Sequence, residues 1–101
     1  MEHVDEDGDR NVFCIEGGAL NWYCNGELDT VVTKLTCSFK RRTGLFDLRD
    51  QTDSGSSDYP ADVVRTLKEM ATMAGVNLEG HGWSRANEID ANFLSEQRGG
   101  L

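Results

Sequence analysis

The stretch Cys14-Ile15-Glu16-Gly17-Gly18-Ala19-Leu20-Asn21-Trp22-Tyr23-Cys24-Asn25-Gly26-Glu27 decides how this chain is expected to fold. Its strongest local signal is Asn25-Gly26, because both residue types accept the positive φ that a two-residue type I′ hairpin turn requires. Such a turn pairs Cys24 with Glu27, Trp22 with Asp29 and Leu20 with Val31. Continued through Gly17-Gly18, read as a bend or bulge in one long ribbon, the same register sets Cys14 opposite Cys37 and Val12 opposite Phe39. One face then gathers Val12, Cys14, Leu20, Trp22, Val31, Leu35, Cys37 and Phe39, and a one-residue slip would scatter that set over both faces.

Working outward, Arg41-Arg42-Thr43-Gly44 supplies a second hairpin loop that pairs Phe39 with Phe46 and Cys37 with Leu48. The polar residues 51–58 read as a loop. Pro60 suits the first position of a helix in which Val63, Val64, Leu67, Met70, Ala71 and Ala74 recur at helical spacing and Gly75 closes the end. Ser84 is placed to cap a second helix carrying Ala86, Ile89, Phe93 and Leu94 on one side. The expected fold class is α+β. An antiparallel meander of three to four strands (about 11–24, 27–40, 45–50, with 76–79 as candidate fourth) precedes helices at about 60–74 and 84–97 that pack on the sheet. Residues 1–10 read as a mobile acidic arm, 11–97 as a single domain and 98–101 as a frayed tail.

Composition narrows the function classes. The 101 residues carry a formal charge of −8, which disfavours nucleic acid and anionic membrane, since binding phosphates depends on lysine and arginine. Apolar runs are too short to span a bilayer and no secretory leader opens the chain, so a soluble, cytoplasmic protein is expected. Three cysteines without a Cys-x-x-Cys pair fit a reducing compartment better than a disulfide framework. All three lie on the apolar face of the expected sheet, where a thiol behaves as a small hydrophobe.

Several motifs point to chemistry. Zinc would need a fourth ligand, and His3 and His81 are not at zinc spacing from the cysteines, so neither metal nor cofactor is expected. Asp5, Asp7, Asp9 and Glu16 fall at positions of a calcium-binding loop, but Arg10 stands where that loop needs glycine. Gly82-x-Ser84-x-Ala86 approaches the pattern of a nucleophile elbow with His81 beside it; the parallel sheet that supports such an elbow is larger than this chain can build, so no catalytic residue is assigned. The same loop supplies candidate ligand- or anion-binding residues, His81, Trp83, Ser84 and Arg85. Lys40, Arg41, Arg42 and Arg49 form a candidate basic rim on an acidic body.

The second sheet face collects Phe13, Ile15, Tyr23, Leu28 and Val32, near Lys34, and is too apolar to be left in water. These six residues are therefore the candidate interface. The expected function is a small acidic intracellular interaction protein, a regulator or inhibitor acting through protein contacts, dimeric and drawn to a basic partner, and not an enzyme. The alternative is a small-ligand or anion binder, or a modest enzyme, using the Gly80–Arg85 loop and a pocket at the sheet–helix or dimer seam.

Overall fold

The computed structural model describes residues 1–52 and 57–88. It is an α+β fold with two four-stranded sheets. The first holds β1 (Glu2–Val4), β2 (Arg10–Glu16), β3 (Ala19–Cys24) and β4 (Glu27–Val32) as an antiparallel meander. The second holds β5 (Lys34–Lys40), β6 (Leu45–Asp50), β7 (Ser57–Tyr59) and β8 (Asn77–Glu79), in the order β7-β6-β5-β8, with β8 parallel to β5. Between β7 and β8 runs α1 (Ala61–Met73), and residues 82–88 are helical, here α2.

The single expected ribbon is thus corrected to two sheets, for two local reasons. Gly17 and Gly18 both adopt positive φ (58° and 80°) and make a two-residue hairpin turn, so residues 11–24 fold back on themselves and Cys14 pairs with Asn21. The strand expected over 27–40 breaks at Thr33, passing from the first sheet to the second, so β5 has β8 and not β2 as its other neighbour and the expected pairing of Cys37 with Cys14 is absent. The Asn25-Gly26 turn forms as expected, with Cys24 opposite Glu27, but a β-bulge shifts the register beyond Tyr23. Trp22 therefore opposes Thr30 instead of Asp29, and Leu20 opposes Val32 instead of Val31. The second hairpin pairs Phe39 with Phe46 and Cys37 with Leu48 as its sequence predicts.

The first ten residues are not the free arm expected from their charge. Glu2–Val4 pair with β2, and Asp5-Glu6-Asp7-Gly8-Asp9 make the connecting turn, in which Asp5 Oδ1 accepts from the amides of Asp7 and Asp9 at 3.0 and 2.9 Å. Aspartate at the start of a turn satisfies backbone donors in this way, which turns the acidic run into a structural element. Buried Asn11 ties that turn to the core. Its Nδ2 donates to Asp5 Oδ2 and the Asp9 carbonyl (both 3.2 Å), and its Oδ1 accepts from Trp22 Nε1 at 3.0 Å.

A single cluster of buried side chains joins the two sheets and the helices. Phe13, Leu20, Trp22 and Val32 come from the inner face of the first sheet, Leu35, Cys37, Phe46 and Leu48 from one face of the second, and Val64, Leu67 and Ala71 from α1. Helix α1 starts one residue later than expected, with extended Pro60 as its N-cap. It closes on Gly75 (φ 72°), with the Val76 amide donating to the Ala71 carbonyl and that of Gly75 to Thr72, a Schellman arrangement. Helix α2 begins at residue 82, so Ser84 lies inside its first turn instead of capping it, and the Arg85 amide donates to the His81 carbonyl. The expected tail at 98–101, and Ile89, Phe93 and Leu94 of the second helix, lie outside the described residues.

Candidate functional site

The loop before α2 is shaped by its approach to β5. A Cβ on Gly80 would overlap the Cys37 carbonyl oxygen, and one on Gly82 would overlap Cys37 Sγ, so only glycine lets the chain pass this close. Trp83 turns inward and is buried, its Nε1 donating to the Glu79 carbonyl at 2.9 Å, which removes it from the expected ligand set. His81, Ser84 and Arg85 stay at the surface and line a shallow hollow of about 330 Å³ with Phe39 and Glu88. The Arg85 guanidinium lies 5.2 Å from the centroid of the Phe39 ring and 3.3 Å from the Glu88 carboxylate. Among the described residues no hydrogen bond joins Ser84 to His81.

The cysteines are free thiols in separate settings. Burial, aided by the charge of Asp47, pushes the Cys37 thiol up to about 12, which keeps it neutral and unreactive. Cys24 is also raised, first by burial and then by Asp9, Asp29 and Asp5.

The outer face of the second sheet alternates away from the core and is polar except for Leu45 at its hairpin end. Lys34, Thr36, Ser38, Lys40, Asp47 and Arg49 line a broad hollow of about 570 Å³. Each cation has an anion: Lys34 lies 3.6 Å from Glu79, Lys40 2.9 Å from Asp58 and Arg49 2.9 Å from Asp47. The hydrogen bond from Lys40 to Asp58 raises the lysine's pKa, with the charges of Asp58, Asp47 and Glu6 acting in the same sense. Of the expected basic rim, Lys40 and Arg49 are therefore neutralised in place. Arg41 and Arg42 stand exposed at the turn without an ion pair among the described residues.

In the turn between β1 and β2, the carboxylates of Asp5, Asp7 and Asp9 come within 4.8 Å of one another. Glu16, the fourth expected calcium ligand, sits at the other end of β2 and accepts a 2.8 Å hydrogen bond from Tyr23. Asp5 is already engaged by backbone amides and by Asn11, so the cluster is held together as a turn.

The six expected interface residues do not share a surface. Phe13 and Val32 are core, and Ile15 lies on the inner face at its rim. Tyr23 and Leu28 pair on the outer face of the first sheet, while Lys34 belongs to the second. Alternation about the observed register puts a different set outward: Val4, Val12, Cys14, Ala19, Tyr23, Leu28 and Val31, among Glu2, Arg10, Glu16 and Asn21. Val4, Leu28 and Val31 are 55, 53 and 46% exposed, and no described element lies over them. The sequence signal that finds most of this face is Gly17-Gly18 read as a hairpin turn, since that reading reverses β2 relative to β3, turning Phe13 inward with Trp22 and Val12 and Cys14 outward; the bulge in β4 then turns Val31 outward.

No family model, no curated protein and no solved structure matches the chain. Among the described residues no helix is long and apolar enough to cross a membrane.

Proposed function

We propose that this is a small acidic interaction protein, a regulator or inhibitor that works from the cytoplasm through protein contacts and not through catalysis. The observation that carries this reading is the outer face of the first sheet, where Val4, Leu28 and Val31 remain exposed beside half-buried Val12, Cys14 and Tyr23. Apolar side chains gathered on the outer face of a sheet whose other face already fills the core serve association better than folding. The acidic balance of −8 favours basic partners and accelerates their encounter. The expected dimer is one form of such contact, with a twin as the partner.

The test compares the wild type with the Leu28→Lys/Val31→Lys double variant, checked for equal stability, as baits in the same cell extract. A partner held by the wild type and lost by the variant supports the reading; equal capture by both, or by neither, removes it.

A second reading rests on Arg85 stacked over Phe39 in a hollow shared with His81 and Ser84. A small anion bound there would be lost in His81→Ala/Arg85→Ala, while protein binding through the first sheet would persist.

A further inference from the structure

We infer that the outer face of the first sheet takes a narrow, basic partner segment, with apolar side chains seated on Val12, Tyr23, Leu28 and Val31 and lysines or arginines reaching the surrounding carboxylates. This rests on the interaction reading above and names the chemistry of the partner.

Three observations select this occupant. The first is charge. The face carries Glu2 and Glu16, with the bulge residue Asp29 beside Leu28 and the acidic turn after β1 at its margin. Its one cation, Arg10, is already paired with Glu2 at 2.8 Å. A second copy would set two such acidic rims against each other, whereas a basic segment is attracted to both the rim and the body.

The second is area. Three strands of six or seven residues and the three-residue β1, about 4.8 Å apart, give a face of roughly 350 Å² in plan, under half of what each partner contributes to a stable interface of standard size. That suits a short segment bound reversibly better than a permanent twin.

The third is the sheet edge. The bulge at the β3–β4 pairing skews the start of β4, and Gln51 Nε2 donates to the Val31 carbonyl at 2.9 Å while its Oε1 accepts from the Thr33 amide at 3.1 Å. With its C-terminal end engaged and its N-terminal end bulged and acidic, β4 offers a poor template for an added strand. The partner therefore lies across the face instead of extending the sheet.

The experiment titrates full-length protein with a synthetic amphipathic peptide bearing leucines on one side and lysines on the other, and with its glutamate counterpart, following backbone amide shifts and affinity. Expected are shifts centred on Val12, Tyr23, Leu28 and Val31, no binding of the glutamate peptide, and affinity falling severalfold between low and high salt. The Leu28→Glu/Val31→Glu variant is decisive, because it makes the protein more acidic: apolar docking predicts a loss of about tenfold or more, and attraction by charge alone predicts a gain. Shifts confined to the Asp5–Asp9 turn, unchanged or tighter binding by the variant, or no binding overturn the inference. A dimer that light scattering detects before peptide is added overturns it in favour of the twin. Failure here alongside wild-type-specific capture from extract would discard the basic segment and leave the interaction reading standing.

Discussion

The two sheets treat their outward faces in opposite ways. Both bury one side in the same core, and both are built from strands of similar length. The second turns Lys34, Thr36, Ser38, Lys40, Asp47 and Arg49 to water and pairs each of its cations with a carboxylate. The first turns out Val4, Val12, Cys14, Tyr23, Leu28 and Val31. Since the second accepts an outer face that is polar apart from Leu45, a sheet of this kind does not require an apolar one to fold. On the proposed reading, the apolar side chains that the first sheet keeps there serve contact with a partner.

That contrast requires inner faces to be intolerant and the first outer face to be indifferent to substitution. The largest expected effect is at Gly82, where a methyl group overlaps Cys37 Sγ. Gly82→Ala should lose at least about 3 kcal/mol in chemical denaturation or fail to fold. Ser84→Ala, exposed on the same turn, should stay within about 0.5 kcal/mol. An unchanged Gly82→Ala would refute the close approach of α2 to β5.

Next comes Asn11→Ala, which strips the buried Trp22 Nε1 of its acceptor and releases the Asp5–Asp9 turn. A loss of about 2–3 kcal/mol is expected in urea, followed by tryptophan fluorescence. A near-neutral result would mean that the acidic turn does not depend on the core.

Alkaline pH probes the second sheet's inner face. Burial raises the thiol of Cys37 from 9.0 to about 12 and also raises the phenol of Tyr59 above its ordinary value. The unfolded chain releases these protons first, so stability is intact below about pH 9 and declines above it, for Cys37 between 9 and 12, by up to about 1.4 kcal/mol per pH unit per group. Cys37→Ser should flatten the first part of that decline; a profile level to pH 11 would show that neither group is as enclosed as described.

The smallest effect is the sharpest for the comparison. Leu28→Lys/Val31→Lys should change stability by less than about 0.5 kcal/mol in the isolated protein. A loss of the size expected from a core truncation, about 2–5 kcal/mol, would make the outer face a structural element and remove its reason to bind.

Much of this arrangement is legible in the sequence where a short signal carries its own geometry. Asn25-Gly26, the loop at Arg41–Gly44 and the Schellman end at Gly75 each fix a turn and the neighbours it brings together. Illegible were features set by tertiary demand. The extra residue in β4 and the passage of the chain at Thr33 leave the alternation of Leu28 to Leu35 looking like one strand. Gly17-Gly18 is ambiguous between bend and turn, and the choice decided which side of β2 faced inward with Leu20 and Trp22 of β3. The acidic run at residues 5–9 concealed a hairpin whose signal, Asp7-Gly8, was available. At the candidate site, His81, Ser84 and Arg85 did converge, but Phe39 joined them only through the fold. The interface set split because its parity rested on the unbroken ribbon.

Gln51 has a consequence for assembly. A chain that offers both an apolar face and a free row of strand amides can recruit copies without end, since each addition regenerates the surface that attracted it. Here the side chain of one glutamine takes the Val31 carbonyl and the Thr33 amide where β4 leaves the sheet. At that end of the strand, a chain arriving at the β4 edge would have to displace the glutamine before it could pair there.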